Sequence, residues 1–529
     1  MHAHIETSIN LSNLFQSDAS VLTGYAALAP ALLLLIALFW GLFANFLPGR
    51  DRGASAVGLA CALLAAAASA LIEPGAQLFG GRFLYTFDAR FAATAICLLA
   101  ALWCLWTLGS GIGRTREAIA LAMFSSIGAI FAVAAYDLIV LFLVLELATM
   151  PGYVLIGYRR YRIAGLEAAL KYFLLSVMST LIMLYGLSFV VGLAQGTTFA
   201  ALANLPATPL TFVALGLVLL GFFAKLSVAP FHWWAPDAYE GAESWAIAFA
   251  SVIPKVAVTL VIIRFVFTTI ASAPLLHLLI MVVALVSLIV GAFAALQQRD
   301  IRRMMAYSGV VNGGYILIAL TAITAGGQSA QDAFYAAIFY VIAYALASMG
   351  VLLIAAHEGG RVSDLNGLAE RNPYLAWCLV ILALSMIGVP PFLGFFAKLN
   401  LFLAAVNAEL IELVVLAVLV AVVCSFYYLR LIRAAFFGDA PLSMGKKLAD
   451  ETSGSTADDE TLESADDGEV GHELPLGDET GEPSALQQAD CTERSPYSLC
   501  AHIAIGLIVT AIVLMGILYQ PVMNLLTGS

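Results

Sequence analysis

The sequence predicts an all-α polytopic membrane protein with about fourteen transmembrane helices, two inverted five-helix repeats and two broken helices. Three observations lead to this prediction. The 529 residues are 62% hydrophobic and only 11% charged, which excludes an ordinary soluble globular domain. Stretches of about 20 apolar residues, enough to cross a bilayer as a helix, recur along almost the whole chain. One hexapeptide, Gly-Phe-Phe-Ala-Lys-Leu, occurs twice, at 221–226 and at 394–399.

The apolar stretches set the approximate limits of the spans. They are 23–46, 55–73, 89–109, 115–134, 137–157, 167–194, 209–235, 242–271, 275–297, 303–325, 331–357, 374–408, 410–435 and 501–520. Proline removes a backbone donor and clashes with the preceding turn of a helix. Residues 388–391, which include Pro390 and Pro391, should therefore divide the twelfth span into two half-helices. Pro230 should break the seventh span in the same way.

Arginines in the connections indicate the orientation. They follow the odd-numbered spans, as Arg50 and Arg52, Arg114 and Arg116, Arg159, Arg160 and Arg162, Arg299, Arg302 and Arg303, Arg361 and Arg371, and Arg430 and Arg433. Connections after the even-numbered spans carry almost none, with Arg82 the main exception. Since basic loops stay in the cytoplasm, we expect a multi-pass membrane protein with both termini outside the cytoplasm, which is the periplasmic side if the membrane is a bacterial inner membrane.

The hexapeptides suggest how the spans are grouped. They fall on the seventh and twelfth spans, five helices apart, so spans 4–8 and 9–13 would form two repeats. Five is odd, so the second repeat would enter the membrane from the opposite side, as in transporters that place ion sites near the midplane. The predicted divisions are a three-helix segment 1–110, the repeats 111–272 and 273–437, an acidic loop 438–500 and a final transmembrane helix 501–529.

One segment accounts for the net charge of −11. Residues 445–495 hold 15 of the 35 acids and 3 of the 24 bases, which leaves 20 acids and 21 bases elsewhere. Because this segment has too few apolar residues to offset the entropy of ordering, we expect a disordered cytoplasmic loop. A docking tail is the alternative to a tolerated insertion.

Lysines inside the spans are the first candidates for function. Four of the six lysines lie there: Lys171, Lys225, Lys255 and Lys398. An ammonium in hydrocarbon is costly, so each is a functional-site hypothesis. A desolvated lysine can release its proton, whereas arginine stays charged, and a proton relay needs groups that exchange charge. The alternative is that a lysine snorkels or pairs structurally, which suits Lys171 near its span end better than Lys225 or Lys398.

Other charged residues in the spans extend the candidate site. Glu146 lies in an apolar run without a basic residue in its own span, so it needs a cation, and Lys171 on the next span is the expected partner. This pair would be either structural or a switch that controls the next proton transfer. His232, after Pro230, would be either a proton shuttle or a hydrogen-bonded residue that stabilises the break. Arg264 is expected to snorkel.

Metal and nucleotide chemistry have no signal in the sequence. The seven cysteines show no CxxC and no Cys/His ligand spacing, so we expect no metal site. No glycine-rich phosphate loop follows a strand, and no strands are expected, so we predict that no cofactor binds this chain. Nothing indicates a nucleic-acid partner.

Several motifs together carry a resemblance to a known family. They include Leu145-Glu146-Leu147, Glu167 to Phe173, Lys225 to Ala242, Pro254-Lys255, Arg303 to Ser308, and Gly388 to Lys398. Over about residues 90–435 the chain resembles the antiporter-like membrane subunits, in particular subunit N of the proton-pumping NADH:quinone oxidoreductase (respiratory complex I). The resemblance implies proton-path roles for Glu146, Lys171, Lys225, Lys255 and Lys398. It departs at Asn312, where the family usually has histidine, and an amide cannot titrate.

The resemblance also implies partners and chemistry. The chain would have no redox centre of its own, and NADH, FMN, iron–sulfur clusters and quinone would be bound by other subunits. Its partners would be other membrane subunits, including further antiporter-like ones, the peripheral redox arm through the complex, and the lipid bilayer. Two alternatives stay open: a subunit of a multisubunit Na⁺/H⁺ antiporter, and a mainly structural membrane subunit.

Overall fold

The computed structural model describes residues 25–43, 50–110, 115–159, 162–269, 275–438 and 499–527. Almost all of the predicted acidic loop, 438–500, lies outside these ranges. The elements are α1 Ala29–Phe43, α2 Arg50–Leu71, β1 Ala76–Leu78, β2 Phe83–Tyr85, α3 Phe87–Gly109, α4 Thr115–Ala134, α5 Leu138–Ile156, α6 Ile163–Ala194, α7 Pro209–Leu226, α8 Trp234–Gly241, α9 Ser244–Ala250, α10 Ile253–Thr269, α11 Leu276–Leu296, α12 Ile301–Thr324, α13 Gly327–Glu358, α14 Leu368–Arg371, α15 Pro373–Ile387, α16 Leu393–Asn407, α17 Ile411–Phe437, α18 Leu499–Ile517 and α19 Tyr519–Thr527, with 3₁₀ turns at Phe199–Asn204 and Val362–Leu365.

The described part of the chain is a bundle of apolar helices. Twelve helices are long and apolar enough to cross a membrane, with α9 and α10 together forming one of them. Three shorter apolar helices, α1, α15 and α16, occupy the first and twelfth predicted spans. Each of the fourteen predicted stretches therefore holds a helix or a pair of half-helices, and the predicted membrane fold is confirmed.

Two short strands are the exception to an all-helical chain. The prediction that no strands occur was wrong, because β1 and β2 pair antiparallel with Ala76 opposite Tyr85 and Leu78 opposite Phe83. The hairpin lies in the connection between α2 and α3, where Gly80 and Gly81 both take positive φ values in the turn. A side chain with a Cβ rarely adopts that conformation, so the two glycines allow the tight turn.

Both predicted helix breaks are present. Helix α7 ends at Leu226, and Ser227 follows in a left-handed conformation at φ 60°. Helix α15 ends at Ile387, Gly388 follows at φ 92°, and α16 begins at Leu393. The hexapeptides take opposite positions: 221–226 ends the half-helix before the first break, whereas 394–399 lies in the half-helix after the second. The same hexapeptide thus lies at the C-terminal end of one half-helix and near the N-terminal end of the other.

The first break is held by groups from other elements. The indole Nε1 of Trp234 donates to the carbonyl of Ala224 at 3.1 Å, across the break itself. The amide of Ala229 donates to Ser287 Oγ on α11 at 3.0 Å. Helix interruption frees backbone groups that must find partners in an apolar surrounding, and these two bonds supply them.

Burial places α12 and α13 at the centre of the bundle. In each of them 94% of an 18-residue apolar stretch is buried inside the protein, against 33% in α6 and in α17. Both broken helices face this centre, since α16 packs on α12 and α13 and α8 packs on α12. The buried lysines therefore approach the two central helices from either side.

Arg264 on α10 does not snorkel as expected. Its guanidinium is buried and lies 3.1 Å from the Asp88 carboxylate of α3, and it also donates to the carbonyl of Ala135 at 3.3 Å. The prediction was wrong because a carboxylate on another helix, 176 residues away, gives the cation a closer partner than water.

Candidate functional site

A buried ion pair joins α5 and α7. Lys225 Nζ lies 2.6 Å from Glu146 Oε1, and only 3% of the lysine side chain and 14% of the glutamate side chain are exposed. Thr180 of α6 donates its hydroxyl to the same carboxylate oxygen at 2.8 Å. Two donors from two different helices therefore meet at one carboxylate oxygen and fix its position. The pair forms next to the break, where α7 delivers Lys225 in its last turn.

The expected pair of Glu146 with Lys171 was wrong. Lys171 instead contacts Glu167 at 2.7 Å, one turn earlier on α6, and Asp237 of α8 at 3.3 Å. The physical reason is the register of the antiparallel helices α5 and α6. Glu146 is level with Thr180, nine residues beyond Lys171, which is about 14 Å along the helix axis. Lys171 therefore stays near the helix end, with 46% of its side chain exposed.

A cluster of charges surrounds Lys171 at this end of the bundle. Asp237 also lies 3.2 Å from Arg303 of α12, and Arg303 in turn binds Glu240. From the sequence alone, acids at the end of a span, such as Asp237 and Glu240, are ordinarily read as part of a solvated or interface loop. They instead connect α6, α8 and α12 through ion pairs, most of them partly exposed. Exposed pairs contribute little stability individually, about 0–1 kcal/mol, so their main effect is the field they create.

A small polar cavity connects Lys225 to Lys255. Its volume is about 20 Å³, enough for one water molecule. Both lysines line it, together with the hydroxyl-bearing residues Thr149, Ser176 and Ser179. Among the described residues no carboxylate lies against Lys255, whose Nζ sits 5.9 Å from the centre of the Tyr239 ring. The second lysine thus has a water-sized connection to the first and no fixed counter-charge.

Lys398 is solvated by the second break. Its Nζ donates to the carbonyls of Met386 and Ile387 at 2.7 and 3.0 Å. These carbonyls belong to the last turn of α15 and are free because the helix ends there. The ammonium also lies 5.4 Å from the centre of the Tyr315 ring. The two hexapeptide lysines are therefore equally buried but held differently, Lys225 by a carboxylate and Lys398 by backbone dipoles.

A hydrogen-bonded network lies between Lys255 and Lys398. Asn312 Nδ2 donates to the Ser308 carbonyl at 2.7 Å, and its Oδ1 accepts from the Tyr340 hydroxyl. The Ser308 hydroxyl lies 2.6 Å from that of Tyr428. A second cavity of about 20 Å³ is lined by Asn312, Tyr340 and Lys398, among others. Asn312 thus anchors neighbouring hydroxyls at the edge of a water-sized space.

His232 stays apart from these groups. It is buried in the interrupted segment after α7, where its ring stacks on Trp233 with centroids 5.1 Å apart. Its Nδ1 has no hydrogen-bond partner among the described residues, and its ring lies 6.1 Å from that of Tyr307. The alternative, that His232 stabilises the break, is supported through its backbone: the His232 carbonyl accepts a hydrogen bond from the Ala235 amide at 2.9 Å. Its proposed shuttle role stays a prediction.

Sequence reasoning missed the hydroxyl groups of the site. Tyr340 and Tyr344 look like ordinary core aromatics in an apolar helix, and Ser308 and Thr180 are common residues in such helices. One signal was present. Tyr340 and Tyr344 are four residues apart on α13, as are Ser308 and Asn312 on α12, so each pair shares a helix face. Two polar faces on adjacent helices indicate an internal polar seam.

The arrangement can hold and transfer protons. Buried amines and a carboxylate alternate with hydroxyl groups and water-sized cavities, which is the composition of a proton relay. In the described part of the chain, no group of three or more His, Cys, Asp or Glu side chains is placed to hold a metal ion.

Comparisons with known proteins agree over most of the chain. The family described as "NADH:quinone oxidoreductase/Mrp antiporter, TM" matches residues 135–424. "NADH-quinone oxidoreductase subunit N 1" of Acidiphilium cryptum is 36% identical over 426 residues, which cover 77% of this chain and 87% of that protein. "NADH-quinone oxidoreductase subunit N" of Rhodospirillum rubrum is 36% identical over 399 residues, 72% of this chain and 80% of that one.

Solved structures share the fold. A chain of respiratory complex I from Thermus thermophilus with bound aureothin superposes with a TM-score of 0.73 and 25% identity, covering 94% of this chain and all of that one. A chain of the Mrp complex from Dietzia sp. gives a TM-score of 0.74 at 20% identity, with 96% of each chain covered. At that identity the second likeness concerns the fold alone.

Proposed function

The chain belongs to the NADH:quinone oxidoreductase/Mrp antiporter transmembrane family, and on this premise we propose that it is a proton-translocating membrane subunit of the subunit N type in a bacterial NADH:quinone oxidoreductase. NADH oxidation and quinone reduction take place elsewhere in the complex. This subunit couples them to proton transfer along its buried lysine and glutamate side chains.

The observation that carries the proposal is the buried pair of Lys225 and Glu146 beside a helix break and a water-sized cavity. A purely structural ion pair would not require a water-sized cavity beside the lysine. Here the Lys225 ammonium lies 2.6 Å from the carboxylate, and the Lys225 side chain also lines a cavity shared with Lys255. When the pair opens, the Lys225 ammonium can pass a proton through water in the shared cavity to Lys255, which accepts it as the neutral amine.

The other candidate residues take distinct roles along the route. Lys255, which lacks a fixed counter-ion among the described residues, receives the proton from Lys225 through the cavity. Lys398 holds it at the second break, where the α15 carbonyls solvate the charge. Lys171 belongs to the charged cluster with Asp237 and acts through its field on the site. His232 is the alternative carrier at the first break.

The surroundings follow from this function. The chain assembles with other membrane subunits of the complex and, through them, with the peripheral redox arm. It is a multi-pass protein of the bacterial inner membrane, and we place both termini on the periplasmic side because of the loop arginines. We propose that it binds no flavin, iron–sulfur cluster, nicotinamide or quinone itself.

Substitution of Lys225 tests the proposal. Lys225→Ala removes the titratable group, and Lys225→Arg keeps the charge but cannot release the proton. Both should lower NADH-driven proton uptake into inverted membrane vesicles sharply, after normalisation to assembled complex. If Lys225 were only a structural cation, the alanine variant would pump poorly and the arginine variant would be close to wild type. Normal pumping by Lys225→Arg would exclude proton transfer through this lysine.

An ion antiporter remains the second candidate, because the Mrp complex chain shares the fold. It is less favoured, since the curated relatives that cover most of this chain are subunits N. Vesicles that show Na⁺-dependent proton flux in the absence of NADH would support the antiporter. Copurification of flavin and iron–sulfur subunits with this chain would support the oxidoreductase.

A further inference from the structure

Gly309 lies between two polar groups that belong to other helices. A Cβ at this position of α12 would lie 3.0 Å from Lys255 Nζ and 3.5 Å from the Tyr344 hydroxyl oxygen. These two atoms are therefore separated by no more than the sum of the two distances, about 6.5 Å. Two hydrogen bonds of about 2.8 Å let one water molecule bridge a separation of up to about 5.6 Å, which is most of the range below this limit. A methyl group at position 309 would contact both polar atoms, and glycine leaves them uncovered.

Tyr344 extends the connection toward the second break. Its side chain lines the cavity of about 20 Å³ that Lys398 also lines, while its hydroxyl group faces the Gly309 position beside Lys255. A hydroxyl group both donates and accepts, and it can accept one proton while it releases another. In the described part of the chain, no other tyrosine lies near Gly309 and also lines this cavity.

Asn312 blocks proton transfer along the neighbouring chain of groups from Ser308 to Tyr340. Both of its polar atoms are occupied, since Nδ2 donates to Ser308 and Oδ1 accepts from Tyr340. An amide neither gains nor loses a proton at ordinary pH, so a proton cannot hop through it as through a hydroxyl. The bond commits the Tyr340 hydroxyl hydrogen to Asn312, although both side chains line the cavity. The Tyr344 hydroxyl has Ser308, another hydroxyl, as its hydrogen-bond partner and not the amide, so its proton can still be exchanged.

We propose that Gly309 keeps open a one-water passage between Lys255 and Tyr344, and that the Tyr344 hydroxyl relays protons from this passage to Lys398. The Lys255 ammonium gives one proton to the water, and the water gives one of its own to the Tyr344 oxygen. In the same movement Tyr344 gives its hydroxyl proton to the Lys398 side chain across the shared cavity, which requires Lys398 to be the neutral amine at that moment. One proton enters and one leaves, and no phenolate forms. The inference rests on the proposed function of the lysine chain.

Three substitutions test the passage. Gly309→Ala adds a methyl group that fills the gap, and the helix can accommodate it because the nearest atom is the end of a flexible lysine side chain. Gly309→Ser adds a similar volume together with a hydroxyl that can itself relay. Tyr344→Phe keeps the ring and removes the relay. Gly216→Ala on α7 is the matched control, since a Cβ there meets no atom within 4 Å.

The measurement is NADH-driven proton uptake into inverted vesicles, normalised to assembled complex. Gly309→Ala and Tyr344→Phe should each lower it about tenfold, Gly309→Ser should recover much of the loss, and the control should equal wild type. A purely steric role predicts equal loss for alanine and serine, and that result overturns the passage. Lys225→Ala runs in parallel. If it fails while Tyr344→Phe pumps normally, only the passage is wrong; if Lys225→Ala pumps normally, the proposed function fails first.

Discussion

The ammonium of Lys225 and the carboxylate of Glu146 lie 2.6 Å apart although 79 residues separate them in the chain. Each comes from a different helix, and Thr180 on a third helix completes the contact. A buried pair of this kind is weak support for stability, because the cost of desolvating two charges offsets most of their attraction. The position of this pair beside a helix break is better explained by a function than by stability.

Removal of Glu146 should harm the protein in two separable ways. Glu146→Ala leaves Lys225 buried without its carboxylate, which costs about 3–5 kcal/mol and should lower the amount of assembled subunit. The double variant Glu146→Ala, Lys225→Met removes both charges and should recover abundance without recovering proton uptake. Immunoblots of membranes and vesicle assays measure the two effects. Glu73→Ala, a change of an exposed carboxylate outside the site, is the control; a double variant that pumps would contradict the proposed route.

Lys171 should tolerate a change that Lys225 does not. Because its side chain is 46% exposed and paired with Glu167 and Asp237, its contribution is a positive charge near the helix end. Lys171→Arg keeps that charge and should retain proton uptake within about twofold of wild type, as expected for a partly exposed pair. Lys171→Ala should lose more. If Lys171→Arg pumps as poorly as Lys225→Arg, then Lys171 itself carries protons.

Deletion of 450–493 should leave assembly and NADH–quinone activity largely intact. The deletion leaves 16 residues between the described ends 438 and 499, which reach about 50 Å when extended. Helices α17 and α18 both pack on α16, so their ends lie in one bundle. The readouts are the yield of the assembled complex and its NADH-dependent quinone reduction. The control replaces 450–493 with a Gly-Ser linker of the same length. Loss of the complex in both variants would show that the segment docks a partner.

The sequence located the breaks and the buried charges because each depends on local chemistry. Proline at 230 and at 390–391 disrupts a helix whatever packs around it. A lysine deep in an apolar run, such as Lys225 or Lys398, is visible without knowledge of its neighbours. These predictions therefore needed only the order of residues, and the structure bears out the helix breaks and the burial of both lysines.

The partner of Glu146 could not be found in this way, because it depends on register and on rotation about the helix axes. Lys171 is on the nearest helix in sequence, but about 14 Å separates its level from that of Thr180, the α6 residue that reaches the carboxylate. The passage at Gly309 was hidden for a related reason. A glycine in an apolar helix usually serves close packing, and only its position between Lys255 and Tyr344 distinguishes it.

The bond from the Ala229 amide to Ser287 bears on whether the chain can be divided. The amide lies at the first break, in the predicted repeat 111–272, and its acceptor lies on α11, in the predicted repeat 273–437. Expressed alone, the earlier half would present an unbonded amide to hydrocarbon, at a cost of about 2–7 kcal/mol. A polypeptide cut between the two repeats should therefore insert stably only when both pieces are made in the same cell.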